Sequence, residues 1–200
     1  MYRSPWVFLI WAAAAIFLAG CGSNTAKSVF LSTDITGADF GKDFKLADHT
    51  GKVRSLADFK GKAVVLFFGF IHCPDICPAT MMELAAALQK LGPDAARVQV
   101  LFVTVDPERD TPALFKQYLA TFNPTFLGLS GDAEATRTIA NDFKVAYQKQ
   151  MGKSPDSHTI DHSSGSYIFD PKGKLRLYAS NGAGRDLFAR DIAELLKTSG

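Results

Sequence analysis

A continuous apolar run, 63–70, and a mainly apolar one, 98–105, dominate the pattern of hydrophobic and polar positions along the chain. Apolar runs of this length are typical of strands that are buried on both faces of a sheet. Between them, apolar residues in segment 78–91 recur near helical spacing, and Gly92-Pro93 follows as a stop signal. The order strand, helix, strand predicts a β-α-β unit at the centre of the chain.

The segments on either side extend this alternation. The pattern predicts a hairpin within 44–53, helices at 56–59, 111–122, 132–147 and 185–197, a strand at 126–129, and a hairpin of strands 167–169 and 175–178. Residues 148–166 are polar and aperiodic, which favours a flexible functional loop. We therefore predict one α/β domain, a mixed sheet flanked by helices with an N-terminal β-hairpin extension.

The amino terminus has the pattern of a bacterial export signal. Arg3 precedes an uncharged apolar stretch, 6–19, that is shorter than the roughly 20 residues a membrane-spanning helix needs. The stretch ends in Leu18-Ala19-Gly20-Cys21, which resembles a lipobox. An uncleaved anchor helix is the alternative, and both interpretations place the domain on the periplasmic side of the bacterial cell envelope. We expect a lipoprotein signal peptide at 1–20, lipidation of Cys21, a flexible linker at 21–38 and the domain at 39–200.

Composition and charge exclude several classes of protein. The chain has 200 residues, of which 47% are hydrophobic and 21% charged, so disorder, collagen and a polytopic membrane protein are excluded. Lys and Arg number 22 against 20 Asp and Glu, and a net charge of +2 provides no field that would attract nucleic acid. Three cysteines are too few for a disulfide scaffold, so each needs its own explanation.

Cys73 and Cys77 lie where the first buried strand turns into the following helix. Ligands of open α/β sheets bind at the carboxyl ends of strands, and Pro78 is well placed to begin a helix with Cys77 near its cap. A helix amino terminus favours the thiolate, which attacks disulfides and also binds soft metals. The spacing permits a disulfide or two ligands on one ion, and packed core cysteines or an inert disulfide are the structural alternatives.

Four segments together resemble the Sco/SenC family, and the resemblance covers the chain from about Phe40 to the last helix. They are Gly-Phe-Ile-His-Cys-Pro-Asp-Ile-Cys-Pro at 69–78, Val-Asp-Pro-Glu-Arg-Asp-Thr-Pro at 105–112, Asp-His-Ser at 161–163, and Tyr-Ile-Phe-Asp-Pro-Lys-Gly at 167–173. The resemblance implies a thioredoxin-like fold at the outer face of an energy-transducing membrane. It also implies assembly of the copper centre in subunit II of cytochrome c oxidase.

Carried over by position, the family's copper ligands fall on Cys73, Cys77 and His162. Two thiolates suit Cu(I), and an added imidazole gives a three-coordinate site that also accommodates Cu(II). Because Cys77 and His162 are far apart in sequence, only the fold can bring them together. The resemblance therefore implies a tertiary copper site, with a copper acceptor such as the oxidase subunit as partner.

Other polar and sulfur-containing residues near these segments have alternative roles. His158 is favoured as a residue of the predicted loop, because Pro155 argues against a helix there, and an auxiliary or entry ligand is the alternative. His72 is expected to tune the thiols or contact a partner. Met81 and Met82 fit a helix core better than a metal site. Asp106 and Asp110 are expected to form a turn and cap the next helix, although Asp106 could instead orient a ligating imidazole.

Two enzymatic functions compete with copper delivery. A thiol:disulfide oxidoreductase would cycle Cys73 and Cys77 and would need a periplasmic thioredoxin-like reductant. Thioredoxin-like reductants usually have two residues between the cysteines and a proline before the hairpin strand; here three residues intervene and no proline occurs between 155 and 171. A peroxiredoxin-like thiol would require Thr where Phe70 stands. These departures favour a metallochaperone.

Overall fold

A computed structural model describes residues 29–154 and 157–198 of the chain. The predicted signal peptide, with Arg3, and Cys21 lie outside the described residues. The elements in chain order are β1 (Thr33–Asp34), β2 (Leu46–Asp48), β3 (Val53–Arg54), β4 (Ala63–Gly69), α1 (Ile76–Leu91), β5 (Val98–Thr104), α2 (Pro112–Ala120), β6 (Leu127–Ser130), α3 (Ala133–Asp142), β7 (Tyr147–Met151), β8 (His158–His162), β9 (Ser166–Phe169), β10 (Leu175–Ala179) and α4 (Gly184–Thr198). Short 3-10 helices occupy Leu56–Phe59 and Gly92–Arg97.

The described strands form one mixed sheet of eight and a separate pair. The order in the large sheet is β1-β10-β9-β4-β5-β6-β2-β3. Strands β4, β5 and β6 are parallel, whereas β9 pairs antiparallel with β4. Every residue of β4 and β5 is buried, as mainly apolar runs predict for central strands. The prediction of a mixed sheet with an N-terminal hairpin, formed by β2 and β3, is confirmed.

Side chains of the central strands alternate between two apolar layers. Val65 and Phe67 of β4 face one layer, while Val64, Leu66 and Phe68 face the other. Helices α1, α2 and α4 cover the first layer, and α3 covers the second. The helices therefore flank the sheet on both faces and leave the carboxyl ends of β4 and β5 open for a site.

Local capping explains where the helices begin and end. Asp132 caps α3 as predicted, because its carboxylate accepts from the Ala135 N–H at 2.8 Å. This helix ends at Asp142, earlier than predicted. Lys144, two residues later, takes a left-handed backbone conformation with φ of 57°, which ends the helical path. Helix α1 begins at Ile76, slightly earlier than predicted, so Pro78 is its third residue. The missing N–H of Pro78 removes no helical hydrogen bond there, because N–H groups of the first turn have no partner within the helix.

The described part of the predicted linker belongs to the folded domain. Strand β1 pairs with β10, and the buried carboxylate of Asp191 accepts the N–H groups of Leu31 and Ser32 at 2.9 and 2.7 Å. The edge strand, this carboxylate and the packing of Phe30 and Ile35 against the two apolar layers hold the segment, which nevertheless shows no regular hydrophobic periodicity. The domain therefore begins before residue 39.

The predicted flexible loop at 148–166 is wrong over most of its length. Strands β7 and β8 form a hairpin that pairs only with itself among the described strands. Both strands are largely exposed, and Ile160 is their one buried residue. An exposed ribbon of this kind has no apolar alternation that the sequence could reveal.

No helix within the described ranges is long and apolar enough to cross a membrane.

Candidate metal centre

The two cysteines lie on the connection between β4 and α1. Cys73 occupies the turn, where its N–H donates to the Phe70 carbonyl at 3.2 Å, and its side chain is half-buried. Cys77 is the second residue of α1 and is fully buried. Its backbone N–H donates to the Cys73 sulfur at 3.4 Å. A free N–H group of the first helical turn therefore points at Cys73, as predicted for a thiolate at a helix amino terminus.

The hairpin β7–β8 brings His162 to these thiols. The Nε2 atom of His162, the last residue of β8, lies 3.7 Å from the Cys77 Sγ, although the two residues are 85 positions apart. Its Nδ1 donates to the Ser163 carbonyl at 2.9 Å, which leaves the Nε2 lone pair directed at the sulfurs. The imidazole edge packs on the rings of Phe67 and Phe70, with centroids 6.4 and 5.9 Å away. Packing and the carbonyl together fix both ring orientation and tautomer.

Cys73, Cys77 and His162 form a cluster that can hold one metal ion. The two sulfur atoms and one imidazole nitrogen all lie within 4.8 Å of one another. Metal bonds to sulfur and imidazole nitrogen measure roughly 2.0–2.3 Å, so ligand atoms around one ion lie about 4 Å apart. A cleft of about 300 Å³ opens onto Cys73 and His162 and gives solvent access to the cluster. We refer to these three residues as the ligand cluster.

The two thiols differ in their electrostatics. A hydrogen bond from the Cys77 thiol and the backbone N–H groups of Cys77 and Asp75 lower the pKa of Cys73 to about 5, although burial opposes this shift. The same hydrogen bond and burial raise the pKa of Cys77. The metal-free pair therefore combines an accessible thiolate at Cys73 with a protonated thiol at Cys77, whose S–H donates to that thiolate.

We expect alkylation of the reduced, metal-free protein to occur at Cys73 with an unusual pH profile. Because the pKa of Cys73 is about 5, its rate with iodoacetamide should be nearly constant between pH 6.5 and 7.5. A thiol of ordinary pKa, about 8.5, would react roughly tenfold faster over that interval. Mass spectrometry of the modified peptide measures each site. A tenfold rise at Cys73, or faster reaction at Cys77, would contradict this assignment.

The structure places His158 and His72 outside the ligand cluster. The Nε2 of His158 lies 3.1 and 3.2 Å from the two carboxylate oxygens of Asp106, so the structure gives no support to the alternative that His158 is an auxiliary ligand. Asp106 indeed orients an imidazole, but that of His158 and not that of His162. His72 is half-exposed, and its Nδ1 lies 3.9 Å from an oxygen of Asp110. This position agrees with contact to a partner and not with ligation.

Asp110 has a role that the sequence interpretation missed. Thr111, not Asp110, caps α2, with its side chain accepting from the Leu114 N–H at 3.4 Å. The buried carboxylate of Asp110 instead accepts from Thr104 Oγ1 at 2.7 Å and from the Ile71 N–H at 3.1 Å. It therefore ties the cysteine turn to the end of β5. Its partner on that turn is a backbone group, which leaves no signal in residue types.

The two methionines after the cysteine turn lie in different environments. Met81 is fully buried in the apolar layer beneath α1, as predicted. Met82 is 58% exposed, so its assignment to the core is wrong.

Gly69, the last residue of β4, stands at a position where a side chain does not fit. A Cβ at this position would lie 2.7 Å from the Cys77 Sγ, 2.8 Å from the Phe67 ring and 2.9 Å from the Phe102 ring. All three neighbours are fully buried and cannot move away easily. The absent side chain therefore provides the space in which the Cys77 sulfur sits.

Replacing Gly69 by alanine should lower the free energy of unfolding by roughly 1–3 kcal/mol, the usual cost of overpacking a core. It should also displace the Cys77 sulfur and weaken metal binding. Urea unfolding of the reduced, metal-free variant measures the first effect. A variant as stable as the parent would show that this space tolerates a methyl group.

The fold and the ligand cluster together define a thioredoxin-like domain with a dithiol and an imidazole at the carboxyl ends of its central strands. The chain belongs to the SCO1/SenC family, whose family model matches residues 32–197. The match includes β1, in agreement with a domain that begins before residue 39.

Similar proteins include a mitochondrial SCO2 homologue from Bos taurus, 42% identical over 69% of this chain and 53% of that protein. The chain thus spans about half the length of this curated relative. ScoI of Bradyrhizobium japonicum, solved with copper bound, is 36% identical over 78% of this chain and 99% of that chain, with a TM-score of 0.72. The apo Sco1 protein of Thermus thermophilus is 39% identical over 85% and 99% of the two chains, with a TM-score of 0.75.

Proposed function

We propose that this chain binds copper through Cys73, Cys77 and His162 and delivers it to the copper centre of cytochrome c oxidase subunit II. The observation that supports this proposal most directly is that three ligand atoms from two distant parts of the chain lie within 4.8 Å of one another. Two thiolates favour Cu(I), and the imidazole makes Cu(II) accessible as well. Copper-bound structures of relatives that are 36% and 31% identical support the choice of metal.

The chain's own groups would capture and release copper by ligand exchange. The Cys73 thiolate, at the mouth of the cleft, meets the ion first, and Cys77 then loses its proton to become the second ligand. His162 completes the site from the hairpin. Acceptor ligands would approach through the same cleft and replace Cys73 first, because it is the most exposed sulfur of the ligand cluster.

Transfer to an isolated acceptor tests the delivery step. Copper-loaded protein is mixed anaerobically with the reduced, copper-free soluble domain of a subunit II, and the two are separated and assayed for copper. We expect most of the copper on the acceptor. Copper that stays on this protein at equal concentrations of the two would contradict the proposal.

A thiol:disulfide oxidoreductase is the second candidate function, favoured by the unequal thiols. The Cys73 thiolate would attack a client disulfide and release one client thiolate, and Cys77 would then attack Cys73 and release the second. The protein would end as a Cys73–Cys77 disulfide and need a periplasmic thioredoxin-like reductant. Reduction of an oxidised subunit II domain by the copper-free protein, without any copper transfer, would favour this role.

We also propose that Cys21 carries a lipid that anchors the domain to the membrane. Strand β1 runs antiparallel to β4, and its register through β10 and β9 places Thr33 level with Leu66. The described residues 29–32 therefore lead toward the end of the sheet at which the cysteine turn lies. Residues 21–28 can span at most roughly 28 Å, which would keep this end of the sheet near the bilayer. Cys21→Ser should move the protein from the membrane fraction to the soluble one, and unchanged fractionation would contradict lipidation.

A further inference from the structure

The hairpin that supplies His162 has few attachments to the rest of the domain. Strands β7 and β8 pair with each other and with no other described strand. Backbone hydrogen bonds of the large sheet therefore do not fix the position of His162. Side-chain contacts between the hairpin and the body, together with the short connection from His162 to β9, must do so.

Strand β8 has one face toward the body, formed by His158, Ile160 and His162. Side chains alternate along a strand, and in β8 these three are buried or half-buried while Thr159 and Asp161 are exposed. Ile160 packs in the apolar layer beneath α3. His158 and His162 are about 13 Å apart along the strand, four residues at roughly 3.3 Å each. Fixing His158 and Ile160 therefore sets the direction in which His162 points.

A buried group of polar contacts holds His158. The Asp106 carboxylate is 1% exposed and accepts a hydrogen bond from Arg109 Nε at 2.5 Å. It also lies 3.1 Å from His158 Nε2. Arg109 also donates through Nη1 to the His158 carbonyl at 2.9 Å. We call Asp106, Arg109 and His158 the clasp. It fastens both the side chain and the backbone of the strand that ends in His162.

The same turn that carries the clasp also holds the cysteine half of the site. Asp106 and Arg109 belong to the turn after β5, and Asp110 of this turn accepts from the Ile71 N–H. The Val105 N–H donates to the Gly69 carbonyl at 2.8 Å. One short segment, 105–110, therefore contacts the turn that bears Cys73 and the strand that bears His162. It is positioned to set the separation between the thiols and the imidazole.

We propose that the clasp is a positioning device that holds His162 against the thiols, and that it thereby controls Cu(II) binding while leaving Cu(I) binding to the two cysteines. This inference rests on the proposed copper site. Groups that orient a metal-binding imidazole typically contribute 10–100-fold to metal affinity. Cu(I) held by two thiolates does not depend on the hairpin in this way.

The experiment compares His158→Ala with His158→Gln, which keeps a side-chain donor, in the full chain. We expect His158→Ala to lower Cu(II) affinity about 10–100-fold and to alter the sulfur-to-Cu(II) absorption band, with Cu(I) affinity changed less than about threefold. His158→Gln should restore part of the Cu(II) affinity. Glu108→Gln is the matched control, because it breaks the exposed ion pair of Lys149 and Glu108, which also joins the hairpin to the same turn.

A copper-free readout separates this inference from the copper proposal. In the parent, proton contacts between the His162 and Phe70 rings should appear in nuclear Overhauser spectra, since the ring centroids are 5.9 Å apart. They should weaken in His158→Ala and persist in Glu108→Gln. Unchanged ring contacts would overturn the inference, whatever the copper results. Equal losses of Cu(I) and Cu(II) affinity would also overturn it, because they indicate a general loss of structure.

If His158→Ala does not fold, Arg109→Lys gives the same test. Lysine keeps the charge beside Asp106 but lacks the planar fork whose Nε and Nη1 reach Asp106 and the His158 carbonyl from two separate nitrogens. We expect a selective loss of Cu(II) affinity and of the ring contacts here too. Retention of both would overturn the inference.

Discussion

Cys73→Ser and Cys77→Ser will each lower Cu(I) affinity by more than about 100-fold, because even groups that only orient a ligand contribute 10–100-fold. A serine hydroxyl stays protonated and is a hard ligand, so each variant leaves one thiolate and one imidazole for a soft ion. Anaerobic competition with a Cu(I) chelator of known affinity measures the loss.

His72→Ala is the matched control for the cysteine variants. His72 adjoins Cys73 in the same turn, is half-exposed and does not belong to the ligand cluster. The Cu(I) affinity of His72→Ala should stay close to that of the parent. Full Cu(I) affinity in either cysteine variant would remove that cysteine from the site.

His162→Ala has the second large effect, and it should separate the two oxidation states of copper. Cu(II) affinity should fall at least about 100-fold, since the imidazole is the one nitrogen ligand of the cluster. Cu(I) affinity should change by less than about tenfold because both thiolates remain. Optical and electron paramagnetic resonance spectra of the Cu(II) form, together with the Cu(I) titration, measure the two effects.

Thr159→Ala controls for a change on the same strand. Thr159 is exposed and lies on the opposite face of β8 from His162. The Cu(II) spectrum of Thr159→Ala should match that of the parent. Identical Cu(II) spectra in His162→Ala and the parent would exclude the imidazole from the site.

The sequence predicted those parts of the fold in which apolar burial decides the structure. The buried strands β4 and β5 appear as mainly apolar runs, and the cysteine turn follows directly from their order. In contrast, β1 makes two backbone pairs, the residues just before it are bound by the Asp191 carboxylate, and the β7–β8 hairpin is exposed. Neither segment has a hydrophobic period, so the sequence predicts a linker for the first and a loop for the second.

The candidate site was predictable to different degrees for its different residues. Cys73 and Cys77 could be identified from their place at a strand end, whereas His162 needed a family resemblance because only tertiary structure joins it to them. His158 and Asp106 were each considered separately, yet their pairing depends on the register of β8 against the turn after β5. Asp110 acts on the backbone N–H of Ile71, and such a contact cannot be inferred from side-chain types.

Titration of the full chain with Cu(I), under anaerobic conditions and against a chelator of known affinity, tests the central claim most directly. The purified protein is measured once fully reduced and once oxidised to the Cys73–Cys77 disulfide. We predict tight binding of one Cu(I) per reduced chain and none by the oxidised chain, because the disulfide removes both thiolates. Weak or non-stoichiometric binding by the reduced chain would contradict the account and leave the cysteines as a redox pair.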